Sequence, residues 1–161
     1  DLVLAIFRGL VDSIEAVLAG PELAAPIAVS EAFIERIVTL YQSDEVFYRA
    51  VFMGGVRLGM FEHETSAGVF AKSVAVAEGL CARALTEGYL RGEIARTLLA
   101  QQLFNAQRLP RQDWVNGYID LDTYRQQALA GMLLTFAADA TPALHERLCD
   151  RLAQLIPQET V

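Results

Sequence analysis

The feature that most constrains this chain is a run from Gln126 to Ala138, Gln126-Gln-Ala-Leu-Ala-Gly-Met-Leu-Leu-Thr-Phe-Ala-Ala138, that carries no charge. With Thr123 and Tyr124 before it, the run predicts a single helix over 123–138. A helix at the edge of a domain has one apolar stripe and one polar face, whereas a helix apolar all round is covered on every side. A chain of 161 residues has little protein with which to wrap a helix so near its C-terminus. The expectation is therefore a helix that packs on its own core with one face and on a second copy of the chain with the other. Leu129, Met132, Leu133 and Phe136 make the bulky face. Ala128, Gly131, Thr135 and Ala138 make a face of small residues that lets a partner helix come close. Two-fold pairing of such helices makes an isologous four-helix interface.

The rest of the chain is helical in pattern too. Leu2, Ile6, Leu10, Ile14 and Val17 recur at three- and four-residue spacing and predict a helix over 2–19, stopped by Gly20-Pro21. Residues 21–29 read as a loop, with Ser30 as N-cap of a helix that buries Phe33, Ile34, Ile37, Val38 and Tyr41. Ser43-Asp44 recaps a third helix over 45–61, and Glu62-His-Glu-Thr-Ser66 reads as a polar junction. A long helix over 67–86 follows, with Phe70, Val74, Ala77, Cys81, Ala84 and Leu85 in step and Gly88 as its cap. Residues 94–107 predict a helix burying Ile94, Leu98, Leu99, Leu103 and Phe104. Pro110 then marks a break, because a proline inside a helix loses a hydrogen bond and clashes backwards. Residues 113–119 form a short continuation, and Asp120 or Asp122 caps the central helix. Thr141-Pro142 opens the last helix, whose stripe is Leu144, Leu148, Leu152 and Leu155. No period-two alternation appears. The fold class is all-α, a bundle of about eight helices in one domain spanning 1–161.

Composition limits the functional classes. A net charge of −7 repels phosphate backbones, so nucleic acid is not gripped by this segment itself. No apolar run is long enough to cross a bilayer, and no secretory leader is visible, so a cytoplasmic protein with no membrane partner is expected. The chain begins at Asp1, already helical in pattern, and reads as a fragment of a longer polypeptide. Cys81 and Cys149 match no metal or redox spacing and read as two buried, reduced thiols. Glu62-His63-Glu64 lacks the spacing that sets two metal ligands on one helical face, so a solvated turn is the reading. Gly54-Gly-Val-Arg-Leu-Gly59 has no strand before it and is not a phosphate loop. Its glycines allow either close helix approach or a soft segment that forms a mobile wall. No enzyme, metal or cofactor is expected. Phe47, Phe52, Met53, Phe70, Val74 and Phe104 are candidates to line an apolar cavity. Gln101 and Asn105, in a row with Arg108, are candidates to orient a ligand there.

Three passages carry a family resemblance. Ala84-Leu-Thr-Glu-Gly-Tyr-Leu-Arg-Gly-Glu93, Trp114-Val-Asn-Gly-Tyr-Ile-Asp120, and the helix over 123–138 with a capped terminal helix resemble the C-terminal regulatory domain of TetR-family transcriptional repressors. Tyr41-Gln-Ser-Asp-Glu-Val-Phe47 is similar to a mid-domain junction of that family. The resemblance implies a homodimer whose subunits each hold a small, largely apolar effector. Effector binding would be coupled to DNA release through an N-terminal helix-turn-helix domain that this chain lacks. The candidate interface is Trp114, Tyr118, Tyr124, Ala128, Gly131, Thr135 and Ala138. Two rivals stay open: a helical oligomerisation module without ligand, which predicts a solid core, and a small helical-bundle enzyme.

Overall fold

Seven α-helices follow one another among the described residues, 2–59 and 69–156, of the computed structural model. They are α1 (Leu2–Leu18), α2 (Pro26–Ser43), α3 (Glu45–Arg57), α4 (Val69–Thr86), α5 (Arg96–Val115), α6 (Leu121–Ala137) and α7 (Pro142–Leu155). No strand occurs among these residues. The one β-type contact is an isolated antiparallel bridge between Leu90 and Ala140. The polar junction at Glu62-His63-Glu64, with Met60 and Phe61 before it, lies outside the described residues.

The helix ends follow local chemistry. In α4 the Gly88 N–H donates to the Leu85 carbonyl and the Tyr89 N–H to the Ala84 carbonyl, with Gly88 at φ +80°. In α5 the Gly117 N–H donates to Trp114 and the Tyr118 N–H to Asp113, with Gly117 at φ +79°. Both are paired C-terminal caps that need a left-handed residue, which glycine supplies without strain. Asp44 accepts from the Phe47 amide at 3.0 Å to cap α3, and Asp120 accepts from the Thr123 amide at 2.8 Å to cap α6. That amide bond holds the Asp120 carboxyl below its ordinary range.

Two sequence expectations about boundaries are corrected. The helix expected to begin after Ser30 starts instead at Pro26, a position where the missing proline N–H is needed by no partner. Ser30 then lies inside α2, fully buried, with a hydroxyl that has no hydrogen-bond partner. The break expected at Pro110 is absent. α5 runs through it to Val115, and the two pieces read from the sequence are one helix. That is why seven helices stand where about eight were expected. A proline there costs on the order of 3 kcal/mol. Here Pro110 is itself buried, and both turns around it are packed: Leu103, Phe104 and Gln107 before, Arg111 and Trp114 after.

The central helix is wrapped by its own chain: α6 packs against α5, α2 and α7. Three helices of the same chain cover most of α6, where the sequence leads one to expect a whole face given to a second copy. Leu129, Met132, Leu133 and Phe136 are buried as expected, and Ala128 is buried with them. At Gly131 the approach is closest, since an added Cβ would stand 2.9 Å from the Ala106 Cβ of α5. The close contact that this glycine allows is thus with α5 of the same subunit. Asp122, Gln127 and Leu134 are what α6 shows to solvent, with Ala138 exposed just past its end and Gly131 and Thr135 half-buried.

Beneath α3 sits an aromatic cluster. Tyr41 stacks on Trp114 at 4.8 Å with rings nearly parallel, Phe52 meets Tyr41 edge-on at 5.3 Å, and Phe7 reaches Phe52 at 5.1 Å. α1 turns Phe7, Ile14 and Leu18 inward while Leu2 and Val17 face solvent, so its buried stripe lies slightly off the expected one. At the other end of α1 the Arg83 guanidinium donates to the Leu18 and Gly20 carbonyls, at 2.8 and 2.7 Å. Asp139 is buried and accepts from the amides of Gly92, Glu93 and Ile94 at 3.0, 2.9 and 3.3 Å. It fastens the α4–α5 connector to the α6–α7 corner. Cys81 is buried, and burial pushes its thiol up to about 12. Cys149 is exposed, which corrects the expectation of two buried thiols.

Candidate functional site

A cavity of about 80 Å³ lies between α1, α2, α4 and α5, with Phe52 of α3 and Met132 of α6 also in its lining. Its wall is apolar on every helix: Phe7, Leu10, Val11, Ile14 and Leu18 from α1, Phe33 and Ile37 from α2, and Val69, Val76, Ala77 and Leu80 from α4. Leu103 and Phe104 come from α5. Four polar side chains interrupt this lining: Ser73, Tyr41, Gln107 and Arg111. The Ser73 hydroxyl is spent on the Val69 carbonyl of its own helix. The other three gather at the end nearest Phe52.

The electrostatics of that end follow from burial. The Arg111 guanidinium donates to Gln107 Oε1 at 3.0 Å, and its Cζ sits 4.7 Å over the Phe52 ring. The Tyr41 and Tyr124 hydroxyls are fully buried and face one another and Arg111 without closing a hydrogen bond of ordinary geometry. Burial pushes the Tyr41 phenol up to about 12, with nearby Arg111 pulling it partly back. Burial also raises Tyr124, and the neighbouring Tyr41 adds to it.

Both phenols are held neutral by the fold, so the folded chain keeps protons that the unfolded chain releases above pH 10 or so. Their contribution to stability is whole below that pH and declines as pH rises through their raised folded values, about 12 for Tyr41. In an alkaline titration, the phenolate absorbance of Tyr41 and Tyr124 is expected to rise together with loss of helical circular dichroism. Replacing both by phenylalanine flattens the alkaline limb of the stability curve. Phenolate signal from these two residues in a chain that is still fully helical would refute the assignment.

Of the eight candidate ligand residues, Phe52 and Phe104 line the cavity. Phe70 stands behind it, meeting Phe104 edge-on at 5.1 Å. Val74 is buried but off the lining, and Gln101 is half-buried outside it. Phe47, Met53 and Asn105 are exposed. Gly54 sits in regular helix against Val3 of α1, an added Cβ lying 3.7 Å from that side chain.

Among the candidate interface residues, Trp114, Tyr124 and Ala128 have no exposed surface and belong to the subunit's own core. They offer nothing to a partner. Tyr118 and Ala138 are exposed, and Gly131 and Thr135 are half-buried.

Gln107 and Arg111, which the sequence reading missed, are the cavity's polar end. They continue the buried stripe of Leu103 and Phe104 by one and two turns. Reading Pro110 as a break discarded the phase that would have found them. Arg108, read from the sequence in a row with Gln101 and Asn105, lines a second pocket of about 80 Å³ with Phe52, Val56, Gly59, Arg111, Gln112 and Val115. Set beside models of protein families, curated proteins and solved structures, the chain matches none of them.

Proposed function

We propose that this chain is the effector-binding and dimerisation domain of a TetR-like transcriptional repressor. Each subunit of a homodimer takes up a small, largely apolar molecule, and its binding is relayed to a DNA-reading domain outside this chain, in the cytoplasm. The observation that carries the reading is the double duty of α5. One face of it lines the cavity with Leu103, Phe104, Gln107 and Arg111. The opposite face bears Leu98 and Leu109, 49% and 68% exposed and three turns apart on one stripe.

Beside that stripe, α6 contributes Leu134, 59% exposed, and the two helices share a shallow groove of Leu98, Gln102, Leu134, Thr135 and Ala138. An apolar surface of this kind is what an isologous helical interface needs. A molecule that shifts α5 from inside then shifts the dimer face, provided it binds one arrangement better than the other. The cavity favours a ligand-binding domain over a solid oligomerisation module.

Sedimentation equilibrium of the chain at micromolar concentration is expected to give a dimer. Leu109→Glu combined with Leu134→Glu is expected to give a monomer with unchanged helical circular dichroism, since a buried like-charge cluster is strongly unfavourable at an interface. A wild-type chain that sediments as a monomer would overturn the reading.

A further inference from the structure

The apolar cavity and the pocket on the α3 side share two lining residues, Phe52 and Arg111. These two are in contact, the guanidinium lying over the ring, so they form the partition between the chambers. One chamber is almost wholly apolar. The other carries Arg108, Arg111 and the Gln112 carboxamide. Arg108 is half-buried, and among the described residues it makes no ion pair or hydrogen bond. A guanidinium taken partly out of water without a partner is costly, and in a chain of net charge −7 a carboxylate partner is not scarce.

The apolar chamber also has a direction. α1 and α4 run side by side, with Asp12 of α1 paired to Lys72 in the first turn of α4 and Leu18 joined to Arg83 further along. The lining on α4 extends from Val69 to Leu80 and on α1 from Phe7 to Leu18, about 16 Å at the helical rise. Leu18 and Leu80 lie at one end. Phe7, Phe52, Gln107 and Arg111 lie at the other, where Phe7 touches Phe52. The apolar lining therefore ends at the Arg111 guanidinium, with Arg108 in the adjoining chamber across the partition.

Building on the effector-binding reading above, we propose that the two chambers form one site for a single-chain amphiphile bearing a carboxylate. The alkyl chain lies along α1 and α4 towards Leu18 and Leu80. The carboxylate is held at the partition by Arg108 and Arg111, whose forked donors match its two oxygens. Gln107 holds the Arg111 guanidinium in place, and the buried Tyr41 hydroxyl, which lacks a hydrogen-bond partner, is available as a further donor. A neutral molecule with the same chain fills the slot but leaves Arg108 unpaired.

The test uses the chain's one tryptophan, Trp114, which stacks on the cavity-lining Tyr41 and reports occupancy by its fluorescence. Decanoate and decanol are titrated against the wild-type chain, Arg108→Gln and Leu80→Phe. Decanoate is expected to bind at least about tenfold more tightly than decanol, the worth of one charge-assisted contact. Arg108→Gln is expected to bring decanoate down to the level of decanol and leave decanol unchanged. Leu80→Phe fills the far end of the slot without adding a second tryptophan and is expected to weaken both, while its circular dichroism checks that it folds. If decanol binds as tightly as decanoate, or if Arg108→Gln leaves their ratio unchanged, the carboxylate assignment falls and the apolar effector site stands. If neither molecule binds, both fall together.

Discussion

Replacing Asp139 by alanine is expected to lower the melting temperature by about 6–12 °C, the counterpart of roughly 3 kcal/mol in a chain of this size. The carboxylate is 1% exposed and accepts from three consecutive backbone amides, those of Gly92, Glu93 and Ile94. Its own backbone carbonyl accepts from the Arg91 amide at 2.8 Å, and the Thr141 amide donates to Tyr89 at 3.0 Å. The side chain and these main-chain bonds together close the corner where α4 passes to α5 and α6 to α7. Without the carboxylate the connector amides must turn to water, and the starts of α5 and α7 lose their common anchor. Asp139→Asn keeps the size but offers one acceptor oxygen and presents an NH2 group to donors, so it is expected to recover less than half of the loss. Thermal unfolding followed by circular dichroism measures both. A shift under about 2 °C for the alanine variant would show that the corner is held by the main chain alone.

Gly131→Ala and Gly79→Ala should change stability in opposite directions. Both glycines lie inside helices, where alanine is favoured by about 1 kcal/mol on conformational grounds. Around Gly79 an added Cβ meets nothing within 4 Å, so that gain is expected nearly in full. At Gly131 the new methyl would stand 2.9 Å from the Ala106 Cβ and 3.4 Å from that residue's backbone. No flexible side chain is there to swing aside, and α5 and α6 must move apart along their most extensive contact. Overpacking of this kind costs roughly 1–3 kcal/mol, leaving a net loss of up to about 2 kcal/mol after the helical gain. Urea unfolding of the two single variants gives the comparison. Gly131→Ala more stable than the parent would mean that the helices separate without cost.

Most of the architecture was legible because helix ends are local. Asp44, Asp120, Gly88 and Gly117 act through hydrogen bonds to residues no more than five positions away, so their chemistry is visible in a short window of sequence. Two of the passages that resemble TetR-family domains are such caps: Trp114-x-x-Gly117 is the carbonyl and the left-handed glycine of one, and Leu85-x-x-Gly88 repeats the arrangement. They specify how a helix stops. Pro110 was misread because its fate is decided by packing, where the buried turns on either side outweigh its local penalty. Losing that helix's continuity hid Gln107 and Arg111, although both are in phase with Leu103. The burial of Trp114 and Tyr124 was equally out of reach, since it depends on α2 and α3, distant in sequence, closing over them.

One fastening has a mechanical consequence. Arg83 holds the carbonyls of Leu18 and Gly20 with two hydrogen bonds, while the opposite end of the first helix rests on contacts such as Phe7 against Phe52 and Val3 beside Gly54. The two guanidinium bonds fix that end of the first helix to α4 through main-chain carbonyls and so make it a pivot. Whatever enters between the two helices turns α1 about this point, and occupancy of a small space becomes a change of angle.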